Sequence, residues 1–380
     1  MASDKRSISL LDLFLLVLTV FEVFLLVVVL SRSFANSVPP SELPSETEEQ
    51  TRPSQPDDEP TPQKPVFSQG AIPTRPAQSD TTKTLTTELD SRYAVLIDAE
   101  SGEVIAQKGM NERFAPASMT KVMTLIVACE QLTEADLDRY VTMTEEILQY
   151  VSSGGYKGTS RASFDVGDGV KIRDLLYGVG VQSFADCTMM LVCAVCPADT
   201  VEQSERTFVE LMNRRATEMG LIDTHFDNTV GYESENNYST AVEIGMLMAY
   251  GLECPMIKDV LSAPKHEFYA TYKDDNGLDK EYRITYYSTL FNSNPQASSR
   301  VKAYEDKYGK SFALAKGVLG GGKTGTLGGS GGVPYTYSLV SYAMLNGKLY
   351  VAVTGETTKG YAVMSDAKVL YDNYKSWTVG

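Results

Sequence analysis

The sequence predicts an α+β unit with a helical insertion, placed behind a membrane anchor and an extended tether. Three observations predict it. Short strands lie at both ends of residues 91–380, with helical stretches between them. Residues 13–30 are almost unbroken Leu, Val and Phe. Residues 34–90 hold ten of the sixteen prolines, and ten acidic side chains against four basic ones.

The apolar run from Leu13 to Leu30 is interrupted only by Thr19 and Glu22. A run of that length spans a hydrocarbon core, whereas the apolar region of a cleaved leader covers about 7–15 residues. Ser33-Phe34-Ala35 makes a poor cleavage site. Residues 1–33 therefore read as a cytoplasmic stub and an uncleaved single-pass anchor. Lys5 and Arg6 favour an inside N-terminus, which puts everything after residue 33 outside the cell membrane. Glu22 costs a few kcal/mol near the midplane, and its apolar neighbours offset that. Residues 34–90 cannot bury enough apolar surface to fold. Proline and like-charge repulsion extend them into a tether.

Residues 91–380 read as the globular part. Tyr93 to Ile97 and Glu103 to Ala106 are strands joined through a turn ending in Ser101-Gly102. Pro116 to Leu132 turns helical, and further helical stretches cover 172–195, 204–219 and 240–251. Ser338 to Leu345 and Lys348 to Gly355 are strands joined by Asn346-Gly347, a strong hairpin signal. Gly360 to Tyr374 closes the chain as a helix. Apolar residues make up 43%, enough for a sizeable core. The formal charge of −15 excludes a duplex-binding protein, which needs a basic footprint. The two histidines, His225 and His266, do not make a multi-histidine metal centre. Five cysteines are an odd number, too few for a disulfide scaffold. Cys187, Cys193 and Cys196 read as buried thiols packed as small apolar residues.

The chemistry concentrates at Pro116-Ala117-Ser118-Met119-Thr120-Lys121. This segment opens a helix, so Ser118 and Lys121 share a face at i and i+3. A desolvated lysine there loses its proton more easily and serves as a base for the hydroxyl. The pattern Ser-x-x-Lys alone says little, because it also starts at Ser262, Ser299 and Ser365. Ser118 is set apart by following a strand hairpin and preceding two further motifs. One of these is Gly320-Gly321-Gly322-Lys323-Thr324-Gly325-Thr326, just before the last strands. Its glycines let backbone approach a ligand closely. Lys323 offers a cation and Thr324 a hydroxyl for a carboxylate.

The ordered set Ser-x-x-Lys, a middle serine motif and Lys-Thr-Gly resembles the β-lactamase and penicillin-binding-protein superfamily. The likeness is to its low-molecular-weight D-alanyl-D-alanine carboxypeptidases, and it runs over about 91–377. It rests on Ala94-Val95-Leu96-Ile97-Asp98 with Ser101-Gly102, on the Ser118 motif, and on Arg173-Asp174-Leu175-Leu176-Tyr177-Gly178. Thr224-His225-Phe226-Asp227-Asn228 with Gly231, and Lys323-Thr324-Gly325, complete it. The middle motif departs from the family. In Gln182-Ser183-Phe184-Ala185-Asp186-Cys187, Ala185 stands where the family carries asparagine.

The resemblance implies a β-lactamase/transpeptidase-like fold, an antiparallel sheet flanked by helices with a mostly helical subdomain. It implies a serine-type carboxypeptidase that trims peptidoglycan stem peptides ending in D-Ala-D-Ala and is inhibited by β-lactams. Ser118 would attack, Lys121 accept its proton, and Ser183 relay a proton to the leaving amine. The N–H groups of Ser118 and Thr326 would form the oxyanion hole, with Lys323 and Thr324 on the terminal carboxylate and Gly325 completing that motif. No metal or organic cofactor is called for. His225 fits the family pattern as a structural residue. Transpeptidase, endopeptidase and β-lactamase readings share these motifs, the last needing a deacylating carboxylate for which Glu210 is the nearest candidate. The missing asparagine also admits a weakly active or non-catalytic wall-binding homologue, with a neighbour such as Gln182 supplying part of the lost contact.

Overall fold

The computed structural model describes residues 64–328 and 333–377. The anchor at Leu13–Leu30 and the first part of the tether lie outside the described residues. Among the described residues, no helix is long and apolar enough to cross a membrane.

The strands in chain order are β1 (Ala77–Thr84), β2 (Tyr93–Asp98), β3 (Glu103–Lys108), β4 (Tyr140–Thr142), β5 (Gly169–Lys171), β6 (Lys265–Lys273), β7 (Asp279–Tyr287), β8 (Gly317–Leu327), β9 (Thr336–Leu345) and β10 (Lys348–Thr357). Six of them form the main sheet in the order β1-β3-β2-β10-β9-β8, and β4-β5-β6-β7 form a second. Both faces of the main sheet are covered, so β2 reads as an unbroken apolar run. Val95 and Ile97 enter the core on one face, Ala94 and Leu96 the core on the other. The Asn346-Gly347 hairpin is confirmed. Leu345 pairs with Lys348, and both turn residues have positive φ, 50° and 83°.

The helices are α1 (Lys121–Gln131), α2 (Glu145–Ser152), α3 (Ile172–Tyr177), α4 (Ala185–Val195), α5 (Val201–Glu218), α6 (Ala241–Gly251), α7 (Pro255–Ser262), α8 (Arg300–Tyr308), α9 (Ala362–Asp372) and the short α10 (Tyr374–Trp377). Helix α1 is mostly apolar and buried from Lys121 to Cys129, as expected for a central helix. Helix α9 covers the opposite sheet face with Val363, Met364, Ala367 and Leu370. The predicted stretch 172–195 is broken: after α3 comes a π-helical turn at Gly178–Gln182, and Ser183 turns left-handed at φ 65° before α4. Such turns recur at functional sites.

Two expectations need correction. The tether does not extend to residue 90, because Ala77–Thr84 joins the sheet as β1. Phe67, Leu85 and Leu89 are buried in the two cores. The composition averaged over 34–90 hides these few apolar anchors, and the free edge of β3 supplies backbone partners to any sequence. The sheet is also mixed rather than wholly antiparallel: β1 runs parallel to β3, with Ala77 opposite Glu103.

Candidate active site

The nucleophile turn is made before α1 starts. Ala117–Thr120 form a 3-10 turn, and Ala117 sits at φ 52°, a left-handed conformation uncommon for a non-glycine residue. Local strain of this kind clusters at functional sites. Gly231 crosses this turn so closely, at φ 77°, that a Cβ on it would stand 1.8 Å from the Ala117 carbonyl oxygen. On the other side Gly325 of β8 comes near, where a Cβ would meet the Pro116 oxygen at 3.1 Å. Gly325 therefore lets the sheet edge approach the nucleophile turn.

Lys121, the first residue of α1, points its Nζ at Ser118 Oγ (3.3 Å) and donates to the Val230 carbonyl at 2.6 Å. It is 2% exposed. Burial lowers its pKa from 10.5 to about 7, so a large fraction is neutral near pH 7. The expectation of a desolvated lysine beside Ser118 is thus met.

Ser183 lies between Lys323 and the cleft. Lys323 donates to Ser183 Oγ at 2.9 Å and to the Thr324 carbonyl at 3.1 Å. Its pKa is pushed well down, first by burial and then by the cations of Lys121 and Arg300. The ammonium read as a carboxylate clamp is fully buried and turned to Ser183. At that end of the site the cation facing the cleft is Arg300, which sequence reasoning missed. Arg300 opens α8 behind the N-cap Ser299, donates to Thr326 Oγ1 at 2.6 Å and stacks on Tyr337 with its guanidinium 4.6 Å from the ring centroid. No local pattern marks it, since only the tertiary fold brings residue 300 beside 326. Thr324 Oγ1 lies 2.8 Å from Thr289 Oγ1.

These groups line one cleft of about 870 Å3 with Ser118, Lys121, Ser183, Thr324, Thr326 and Arg300 in its wall. Gln182 lines it too. Its far end carries Lys157, Ser160, Tyr232 and Glu233. Ala185 is buried at 1% exposure, its N–H donating to the Ser160 carbonyl at 2.9 Å. The next residue, Asp186, accepts from the backbone of Ala162 (3.0 Å) and Ser163 (2.9 Å), holding that wall in place. Glu210 is exposed on α5 and is not among the residues of the cleft. His225 is engaged with the Asn236 carbonyl at 2.7 Å, as a structural residue would be. Cys187 and Cys196 are buried and Cys193 half-buried.

A buried lysine against a serine, a second serine held by a second lysine, and an arginine beside Thr326 define a serine acyl-transfer type of site on an α+β sheet. The chain belongs to the D-alanyl-D-alanine carboxypeptidase family, whose model matches residues 78–294. Among curated relatives, DacF of Bacillus subtilis is 27% identical over 247 residues, 64% of this chain and 59% of the relative. DacC of Escherichia coli is 33% identical over 161 residues, 42% and 38% respectively. The matched stretch thus spans less than two thirds of either relative. The Streptomyces K15 DD-transpeptidase shares the fold, with TM-score 0.62 and 24% identity over 76% of this chain and 98% of that one. A D-alanyl-D-alanine carboxypeptidase of Mycobacterium tuberculosis does so at TM-score 0.54 and 19% identity, over 76% of this chain and 94% of that one.

Proposed function

We propose that the domain is a serine-type D-Ala-D-Ala carboxypeptidase acting on peptidoglycan stem peptides and acylated by β-lactams. The observation that carries this reading is the buried Lys121 amine, 3.3 Å from Ser118 Oγ and seated on the Val230 carbonyl. Neutral Lys121 takes the Ser118 proton as Oγ attacks the carbonyl carbon between the two terminal D-alanines. The N–H groups of Ser118 and Thr326 receive the developing oxyanion. The C–N bond then breaks as the proton held by Lys121 passes through Ser183, itself held by Lys323, to the departing amine of D-alanine, which leaves Lys121 neutral again. Arg300, Thr324 and Thr326 hold the terminal carboxylate. Water, giving its proton to neutral Lys121, attacks the acyl carbon, and that proton passes from Lys121 to Ser118 Oγ as the ester bond breaks and the acid leaves.

A transpeptidase differs only in an amine replacing that water. A β-lactamase reading is weaker: of the residues that line the cleft, the one carboxylate is Glu233, exposed at the rim. Leu13–Leu30 serves in this proposal as a single-pass anchor holding the domain outside the cell membrane. Protease added to intact protoplasts should then remove the domain, and its protection would overturn the topology. For the chemistry, a labelled penicillin should bind covalently to the wild type and not to Ser118→Ala, and a D-Ala-D-Ala pentapeptide should release D-alanine. Labelling of the variant at another serine would overturn the assignment. A labelled wild type that releases no D-alanine would make it a penicillin-binding homologue without peptidase turnover.

A further inference from the structure

Below the cleft lies a carboxylate that the proposed chemistry does not use. Glu205, in the second turn of α5, is 6% exposed. The groups that donate to it are uncharged. Thr229 donates to Oε1 through its N–H at 3.0 Å and its hydroxyl at 2.7 Å. Tyr150 donates to Oε2 at 2.8 Å, and Tyr156 donates to Oε1. Burial, then the neighbouring carboxylate, pushes both tyrosines up in pKa, so they remain donors at neutral pH.

Burying a carboxylate without a cation is expensive, and apolar packing of similar volume is often as stable. What this carboxylate provides is geometry. Tyr150 belongs to α2, and the other two partners, Tyr156 and Thr229, sit on irregular segments that lead into the cleft walls. Tyr156 begins the Lys157–Ser160 wall and packs edge-on against Tyr232 of the opposite wall, centroids 5.9 Å apart. Thr229 belongs to the loop shaped by Asn228, whose Oδ1 accepts from the N–H groups of Gly231 (2.8 Å) and Tyr232 (2.9 Å). The carbonyl of Thr229 takes the Thr124 hydroxyl of α1 at 2.7 Å, and the next carbonyl, Val230, takes Lys121 Nζ.

We infer that Glu205 is a positioning residue: it clamps the two cleft walls together and, through Thr229 and Val230, seats the Lys121 amine against Ser118. The inference rests on the reading of Lys121 as the base. It acts through Lys121 and touches neither Ser118 nor the cleft. Burial is what lowers the Lys121 pKa, while the cations of Lys121 and Arg300 act on Lys323, a pairing that Glu205 leaves in place.

The test measures two things on the full domain carrying Glu205→Leu, Glu205→Gln and Thr229→Val. One is the titration of Lys121, followed by NMR of its labelled ε-carbon. The other is the rate of penicillin acylation against pH. In Glu205→Leu the loop loosens and water reaches Lys121, so its titration should move upward by roughly half a unit or more. Acylation at pH 7 should fall by on the order of ten- to a hundredfold. Glu205→Gln keeps an acceptor for Thr229 and should recover most of the loss. Thr229→Val, which removes one donor, should move both readouts the same way by less. A folded Glu205→Leu with wild-type titration and acylation would overturn the inference. So would variants that lose stability while the Lys121 titration stays put. If Glu205→Leu does not fold, Thr229→Val decides by the same criteria. A wild type that is never acylated would refute the proposed function, and the Lys121 titration would still decide the role of Glu205.

Discussion

The pH dependence of acylation tests the central claim about Lys121. The perturbation is pH itself, between 6 and 9, with Lys121→Arg as the control that cannot lose its proton. An ordinary lysine with a pKa of 10.5 is neutral at pH 7 in roughly one molecule in three thousand. Burial at 2% exposure brings the value to about 7, where half the molecules carry a free amine. The structure therefore supplies roughly a thousandfold more base at neutral pH. The two cases differ in shape as well as size. With a value of about 7, the neutral fraction rises about tenfold from pH 6 to 8 and then levels off; with 10.5 it rises about a hundredfold over the same span with no plateau. Lys323 lies close enough to lower and be lowered, so the two lysines titrate as a pair, and the observed values belong to the pair. A stopped-flow measurement of acylation by a chromogenic β-lactam reads this directly. A log-linear rise with no plateau below pH 9, or a Lys121→Arg variant acylated at the wild-type rate, would refute the reasoning. The same shift sets a sign for stability. The folded pKa lies below the unfolded one, so the unfolded chain holds more protons between pH 7 and 10.5, and unfolding free energy should rise with pH across that window as far as Lys121 is concerned.

Three further outcomes follow from the geometry. Arg300→Gln should weaken productive binding of peptides with a free terminal carboxylate by roughly ten- to a hundredfold while leaving the amidated peptide unchanged; equal losses on both would show that Arg300 does not read the carboxylate. Ala185→Asn should raise the rate of acylation, by at most about a hundred- to a thousandfold, because one transition-state hydrogen bond is worth roughly that much; a folded variant slower than wild type would mean that alanine suits a different substrate. A chain starting at Ser91 should be destabilised by about 5 kcal/mol or more relative to one starting at Lys64, since Phe67, Leu85 and Leu89 each contribute about 1.5–3 kcal/mol of burial; equal denaturant midpoints would restore the tether to its full predicted length.

Much of the main sheet was legible because its strands are locally consistent. Tyr93–Ile97 is apolar throughout, and Asn346-Gly347 marks its hairpin without help from the rest of the chain. The second sheet was not legible. Strands β4 and β5 have three residues each, too short for a periodic signal, and β6 and β7 alternate charged with aromatic residues over a surface that is half exposed. For the site, Ser118 and Lys121 are neighbours in sequence, so their pairing was readable. Lys323 was found by motif, but its partner Ser183 lies 140 residues away, and nothing local says that the ammonium turns inward. Arg300 was missed for the same reason. Glu205 could not have been singled out either, as one acidic residue among several on a helix whose outer face is charged.

The place of β1 has a mechanical consequence. It occupies one edge of the main sheet and β8, which carries Lys323 to Thr326, occupies the other. Five interstrand steps separate them, about 24 Å at the usual spacing. Tension arriving from the N-terminal side first meets Phe67, buried in the core and bonded with Val66 to the end of α1, and loads the β1–β3 pairing only once those contacts give way. That pairing is short and irregular between Gln78 and Lys83. A pull would therefore strain the last turn of the helix that opens at Lys121 before it peeled the outer strand, so the first contacts of the N-terminal segment tie the reacting helix to whatever holds the chain.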